Sequence, residues 1–396
     1  MRRTVPIFGV LAMVVLSLTS QGAQPQAALA SGTANVFSTS DTAAYIGSPT
    51  SLAIDSAGRP VVAYYVADTK DLKVLRCGDA TCSSGNSVVA VDTVGDVGSW
   101  ASLELDQFDN PVVSYYDATN ADLKLLRCGT PTCGSGNSIT SPATTGTVGL
   151  STSLELDGSG NPVVSLVEFP MLGDADINVL HCNDADCAGA DESLESPNPS
   201  NLQGGGPTAL ELTASGNPVV VYGHTTVMRC NDPDCSGGDE GLASLYPGTF
   251  NPSLVLNAAG NPLFSGVTSA LGGGVKAAIQ ECGNPTCSGS ASPLVPVDDV
   301  TDAEQASLAL DSGGAPVVAY YDGTKKDLKI ARCGSLSCKA GVSVATPDSL
   351  GNVGKNAALV LDASDNPVVS YSDESTLDLK ILHCGNLRAV QGTPSR

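Results

Sequence analysis

A five-residue unit of the form Ser-Leu-x-Leu-Asp returns seven times along this chain and restricts its fold more than any other feature. It begins at Ser51, Ser102, Ser153, Ala209, Ser253, Ser307 and Ala358, so its first leucines are Leu52, Leu103, Leu154, Leu210, Leu254, Leu308 and Leu359. The interval between copies is 44 to 56 residues (Leu210 to Leu254 and Leu154 to Leu210). Periods of this length filled with strand-like segments are the signature of propeller blades.

Each copy reads as four strands. Strand A is the Leu-x-Leu-Asp segment, with the period-2 alternation of a half-buried strand. A turn such as Ser56–Pro60 or Gly158–Pro162 follows, its glycine supplying a positive φ and its proline starting the next strand where a missing N–H is tolerated. Strand B is Pro-Val-Val-Ser-Tyr-Tyr, as in Pro111–Tyr116, and strand C is Asp-Leu-Lys-x-Leu-Arg-Cys, as in Asp122–Cys128. A tight Cys-x-x-x-x-Cys connection then starts strand D, for example Ser87–Asp92. The seventh copy stops soon after Cys384 with no strand D of its own, while an orphan strand, Asn35–Thr39, precedes the first copy. The expected fold is therefore all-β: a seven-bladed β-propeller with four-stranded blades, closed by an N-terminal strand that completes the last blade and leaves no open edge.

The thirteen cysteines agree with this plan. Twelve form six pairs: Cys77 with Cys82, Cys128 with Cys133, Cys182 with Cys187, Cys230 with Cys235, Cys282 with Cys287, and Cys333 with Cys338. Each pair is expected across the base of a hairpin and within disulfide reach. Each bridge closes a small loop and should contribute roughly 2 kcal/mol by the chain-entropy estimate. Zinc is the competing use, but it needs about four ligands on one ion, and pairs on successive blades point outward from different places on a ring. Cys384 occupies the first Cys position of the split copy; its partner would begin the missing strand, leaving it free, buried or paired with another chain.

The first thirty residues do not read as part of the fold. Arg2 and Arg3, the apolar run Pro6–Leu18 and the small residues Ala28–Ala30 form the three-part pattern of a secretory signal peptide. No later stretch is long and apolar enough to be a transmembrane helix. The expected division is a signal peptide over 1–30, the propeller over 31–386 and a tail over 387–396, in a secreted, extracellular or cell-surface protein. Asp and Glu outnumber Lys and Arg by 41 to 19, a formal charge of −22, which argues against nucleic acid and anionic lipid as partners.

Residues with chemical potential are few. The D-to-A loops carry Tyr45, Trp100, Tyr246 and Phe250 on the face where propellers usually place their sites, and exposed aromatics there would serve sugar rings or peptide chains. The blander role for Trp100 is to fill a gap between two blades, since large aromatics are mostly buried. Glu104, Glu155 and Glu211 occupy the same place on the innermost strand of three consecutive blades, where the other copies carry Ala53, Val255, Ala309 and Val360. They are expected either to bind a cation or hold a raised pKa, or simply to pair with lysines or backbone of a neighbouring strand. Asp55, Asp106, Asp157, Asp311 and Asp362 read as Asx-turn formers. Calcium is the one cofactor these acidic turns suggest, but they lack the dense Asp-x-Asp-x-Asp spacing of calcium loops. Asp71 with Lys73, Asp122 with Lys124, Asp327 with Lys329 and Asp378 with Lys380 suggest polar ladders between strands. His181 and His383 stand where other copies have Arg76, Arg127, Arg229 and Arg332, a structural repeat position. Copies 3 to 5 depart together from the pattern in their B-to-C loops, where a grafted site would lie.

The unit Ser-Leu-Ala-Leu-Asp-Ser-x-Gly-x-Pro-Val-Val-Ser-Tyr-Tyr-Asp resembles repeats of secreted bacterial propeller proteins over the whole mature chain, and loosely resembles the Asp-box repeats of sialidase-like propellers and the NHL-type repeats. Its Asp-x-x-Gly-x-Pro lacks the closing Trp of the Asp box. Its repeated arginines sit at the end of strand C beside the cysteines, so the resemblance carries over no catalytic residue. The first expectation for function is a non-enzymatic module that recognises protein or glycan with one propeller face. The alternatives are a carbohydrate-active enzyme, glycosidase or lyase, working from carboxylates near the channel, and a structural envelope protein.

Overall fold

The computed structural model describes residues 35–42, 45–169, 175–189, 192–197, 206–223, 226–245, 250–269, 271–289, 293–339 and 341–385. The expected signal peptide and C-terminal tail lie outside them. Strand β1 is Val36–Asp41. Blade 1 is β2–β5 (Ser51–Ile54, Pro60–Val66, Asp71–Arg76, Ser87–Asp92) and blade 2 is β6–β9 (Val97–Leu105, Pro111–Asp117, Asp122–Arg127, Ser138–Ala143). Blade 3 is β10–β13 (Thr147–Leu156, Pro162–Phe169, Asp176–His181, Ser193–Glu195) and blade 4 is β14–β17 (Thr208–Leu212, Pro218–Tyr222, Thr226–Arg229, Gly241–Ser244). Blade 5 is β18–β21 (Phe250–Leu256, Pro262–Thr268, Lys276–Glu281, Val295–Pro296) and blade 6 is β22–β25 (Ala303–Leu310, Pro316–Asp322, Asp327–Arg332, Ser343–Asp348). Blade 7 holds β26–β28 (Val353–Leu361, Pro367–Asp373, Asp378–His383).

Among the described residues these strands form seven four-stranded antiparallel sheets. The seventh has the order β1-β28-β27-β26, with Phe37 opposite Leu382, so the N-terminal strand closes the ring as the repeat predicted. The first strands of consecutive blades contact one another around the channel, and β26 returns to β2. The chain is a seven-bladed β-propeller.

The core is a series of apolar layers, each shared by two blades. One layer joins Val61, Ala63 and Val74 of blade 1 to Leu103, Val113 and Tyr115 of blade 2. The second strand of each blade is packed on both faces, which is why it reads Val-Val rather than alternating. The proline that opens it has no N–H to donate but still bonds through its carbonyl. Its carbonyl accepts the amide of the cysteine ending the third strand, as Cys77 N–H donates to Pro60 O at 2.9 Å.

Two polar devices recur around the ring, one at the end of a sheet and one between neighbouring sheets. Asp55 Oδ1 accepts the amides of Ala57 and Arg59 at 3.0 and 2.9 Å, the expected Asx turn, and its Oδ2 takes Arg76 Nη2 at 2.7 Å from the end of the third strand. The histidines fill the same post: His383 Nε2 lies 2.9 Å from Asp362, and His181 bridges Asp157 and, at 2.7 Å, Asp234 of the next blade. The second device differs from a ladder along the third strand. Lys124 does not pair with Asp122; it reaches Asp92 of the preceding strand-D terminus at 3.0 Å and Asp117 at 3.2 Å, with the Tyr115 hydroxyl on the same Asp92 carboxylate at 2.8 Å. Tyr64–Asp41–Lys73, Tyr320–Asp298–Lys329 and Tyr371–Asp348–Lys380 repeat it. Blades 3 and 5 cannot, because Leu166 faces Asn178 and Gly266 faces Ala278 at the corresponding pair.

All six expected disulfides are present: Cys77 to Cys82, Cys128 to Cys133, Cys182 to Cys187, Cys230 to Cys235, Cys282 to Cys287, and Cys333 to Cys338. Their Cα–Cα distances are 4.7 to 5.0 Å. Their setting differs from the one expected, because the second cysteine does not begin strand D. Cys82 closes a turn, its amide donating to Asp79 O at 3.0 Å, and β5 starts only at Ser87. Cys133, Cys187, Cys235, Cys287 and Cys338 repeat that turn, each donating to the carbonyl three residues back. All six second cysteines lie in the left-handed region, with φ from 51° to 57°. A chain reversing over so few residues needs one positive φ, and here a cysteine supplies it where glycine is usual. The bridge therefore pins the end of strand C to its own turn, not to the outer strand.

Cys384 is free and buried in the layer between blades 6 and 7, and burial pushes its thiol up to about 12. No helix among the described residues is long and apolar enough to cross a membrane.

Candidate functional site

The channel that the seven inner strands enclose holds the candidate site. Three residues before each repeated leucine, at Pro49, Trp100, Ser151, Pro207, Asn251, Gln305 and Asn356, the inner strand enters the channel wall. Five of these seven are non-glycine residues in the left-handed region, with φ from 48° to 58°. They coincide with irregular register in the inner strands, as between Ser99 and Ser102 and between Phe250 and Ser253. A bulge of this kind re-aims side chains, and a left-handed φ is uncommon for a residue as bulky as Trp100. Its backbone is fastened on both sides: the Trp100 amide donates to Ser48 Oγ at 3.2 Å and its carbonyl accepts Thr152 Oγ1 at 2.5 Å.

All of these residues except Asn356 line a cavity of about 380 Å³ at the channel mouth. Its wall combines Trp100 with hydroxyls, amides, prolines and small apolar groups, and contains no charged side chain. In a seven-fold ring blade 2 faces blades 5 and 6, so Trp100 stands across from Asn251 and Gln305. Gln305 is committed to Asn356: its Oε1 accepts the Asn356 amide at 2.7 Å and its Nε2 donates to Asn356 Oδ1 at 3.3 Å. Asn251 is exposed.

Below the mouth, a second cavity of about 250 Å³ shares Ser51, Thr152, Thr208 and Ser253 with the first and adds Glu104, Glu155 and Glu211. Residues two apart on a strand share a face, so Glu104 lies beside Ser102, whose Oγ accepts the Leu154 amide of the next blade at 3.0 Å. The carboxylates have no lysine partner among the described residues, contrary to the simple pairing that the sequence allows. Loss of hydration raises all three: Glu104 and Glu211 to about 7, and Glu155, with a carboxylate neighbour on each side, to about 10. Their oxygens do not all lie within 4.8 Å of one another; among the described residues only Cys182, Cys187 and Glu192 converge so closely, and both cysteines are in a disulfide.

The structure thus places Trp100 and the three glutamates along one channel and separates them from the other aromatics. Tyr45 is exposed on the loop before blade 1, its carbonyl accepting the Ala67 amide, and does not line either cavity. Phe250 opens β18, but its side chain, like all of Tyr246, lies outside the described residues. The amides Asn251, Gln305 and Asn356 were missed in the sequence. The available signal was their fixed offset from the repeated leucine, which becomes meaningful only once the inner strands are known to bulge there.

No protein-family model matches the chain, and no curated protein does. Solved structures do. A protein of unknown function from Dyadobacter fermentans aligns with a TM-score of 0.52 at 10% identity, over 89% of this chain and 98% of that one. The polysaccharide lyase Uly1 aligns with a TM-score of 0.49 at 7% identity, over 89% and 99%. The GH43 protein BlXynB from Bacillus licheniformis gives 0.40 at 9% identity, over 87% and 57%. At 10% identity the likeness to the Dyadobacter protein is one of fold alone.

Proposed function

We propose that this chain is a secreted or cell-surface binding module that recognises a glycan or protein partner at the mouth of its central channel. The observation that carries the reading is Trp100, held in a left-handed backbone conformation at the rim of a 380 Å³ uncharged cavity. An indole offers a flat apolar face to a sugar ring, and the hydroxyls and amides around it match a polyol without imposing a charge. The six disulfides support an oxidising, extracellular setting. A glycan array and a polysaccharide-cleavage screen on the purified protein, each run with and without calcium, test the reading. Binding without cleavage, lost in Trp100→Ala, is the expected result; a Trp100→Ala protein that binds every hit unchanged removes the mouth from consideration.

A second reading, a glycosidase or lyase, is favoured by one observation: Glu104, Glu155 and Glu211 line one channel cavity, where burial raises all three, and a carboxyl kept protonated near neutral pH can act as a general acid. Cleavage abolished by Glu104→Gln, Glu155→Gln or Glu211→Gln would replace the binding reading with this one.

A further inference from the structure

We infer that the channel selects a glycan that carries an amino sugar with a free amine, one ring seated against Trp100 at the mouth and the ammonium of a further ring directed to the carboxylates below. The inference rests on the channel mouth being a glycan site and names the chemistry of its ligand.

Three features of the cavities lead to it. They are contiguous, sharing Ser51, Thr152, Thr208 and Ser253, so a ligand entering at the indole extends into the acidic part without leaving the channel. The two parts differ in chemistry. The mouth is wholly uncharged, whereas the inner part presents Glu104, Glu155 and Glu211 and no basic residue. A fitting ligand is therefore itself divided, with a neutral hydroxyl-rich face at one end and a positive charge at the other. The carboxylates also come from three successive inner strands, β6, β10 and β14, with no lysine or arginine in the cavity wall. An ammonium, with three donors and no acceptor, suits carboxylates left without a cationic partner.

The same arrangement couples binding to protons. The titratable groups facing this space are Glu104 on β6, Glu155 on β10 and Glu211 on β14; β2, β18, β22 and β26 present Ala53, Val255, Ala309 and Val360 at the matching position. Asp106 and Asp157, farther along the inner strands, are already engaged by Arg127 and His181. With Glu104 and Glu211 raised to about 7, the carboxyls are largely protonated at pH 6. An arriving ammonium favours their ionised form, so binding at pH 6 releases protons.

The test is titration calorimetry of the full protein at pH 6 with a glucosamine tetramer and its fully N-acetylated counterpart, in buffers of low and high ionisation enthalpy. The expected result is binding of the free-amine tetramer with proton release, and at least about tenfold weaker binding of the acetylated one, a ratio equivalent to a single charge-assisted contact. Glu155→Gln and Glu104→Gln should erase that preference while leaving the circular dichroism spectrum intact. Equal binding of both tetramers, lost in Trp100→Ala but untouched by either Gln variant, overturns the amine selectivity and leaves the mouth as a glycan site. Lysine amide binding as tightly as the tetramer overturns the sugar assignment. Calcium displacing the tetramer in a Glu-dependent way reassigns the inner cavity to a metal. Failure of both tetramers to bind overturns the inference, and the glycan array then decides the mouth separately.

Discussion

Ser51 Oγ accepts the backbone N–H of Leu103 at 2.9 Å, one blade farther round the ring. Ser102 does the same for Leu154, Ser153 for Leu210, Ser253 for Leu308 and Ser307 for Leu359, at 3.0 to 3.1 Å. The serine of the repeated unit is thus a link between blades. Ala209 and Ala358 occupy the two posts where no such hydroxyl exists. Ser102→Ala and Ser153→Ala should each cost about 1 kcal/mol, the net worth of one such hydrogen bond. Ala209→Ser should recover a similar amount by capping Leu254. Guanidinium unfolding midpoints at an unchanged slope would check both signs, and a neutral Ser102→Ala would show that water replaces the hydroxyl.

The close approach of Gly98 to the preceding blade leads to a sharper effect. A Cβ at Gly98 would lie 2.8 Å from the Cα of Leu72, and at Gly149 2.6 Å from that of Leu123, both at φ near +105°. No flexible side chain can yield there, since the obstacle is backbone. Gly98→Ala and Gly149→Ala should destabilise by about 3 kcal/mol or more. Gly58→Ala, with φ +78° but open space around its Cβ, should cost only about 1 kcal/mol. Thermal unfolding of the three variants side by side separates collision from conformational cost.

The channel glutamates give the stability curve its alkaline side. Their folded pKa values are raised, so between about pH 4.5 and those values the folded state binds more protons than the unfolded chain. Stability from this source is complete below about pH 4.5 and is lost as pH rises through about 7 for Glu104 and Glu211 and about 10 for Glu155. Asp117 and Asp348 act in the opposite sense. Burial alone would raise them, but hydrogen bonds from Asn120 and Lys124, and from Lys380 and Tyr371, hold them below the usual range, so their contribution disappears in acid. Glu104→Gln should therefore stabilise the protein at pH 8, by about 2 kcal/mol, and change little at pH 4. Melting temperatures at the two pH values check this; equal shifts at both would remove the electrostatic explanation.

Cys384 predicts a simple titration. Thirteen cysteines less the twelve in disulfides leave one thiol, buried and raised to about 12. A thiol reagent at pH 8 should find essentially none in the native protein and one per chain in guanidinium without reductant. Rapid labelling of the native protein would mean that β1 leaves β28 readily.

The blade count, the strand order, the closing strand and all six disulfides were legible in the sequence because each follows from local period and spacing. Leu52 and its six counterparts mark the inner strands, and a four-residue gap between cysteines can close only within one blade. The left-handed turn at Cys82 was not legible, because cysteine carries none of the turn signal of glycine or asparagine. The Asx turn at Asp55 was as local as the disulfides. The partner of Lys124 was not. It is Asp92, at the end of the previous blade's outer strand, a neighbour that exists only after the ring has formed. The same holds for Ser51 and Leu103.

Sequence by itself determined that this chain is a ring of seven β-sheets, since hydrophobic alternation, turn chemistry and cysteine spacing act over a few residues and repeat with the blade. Only the tertiary structure decided what the ring encloses. Trp100, Asn251 and Gln305 lie far apart in the chain, and Glu104, Glu155 and Glu211 lie on separate blades. What brings them to one channel is closure of the ring, and what raises the carboxyls is the water that closure excludes.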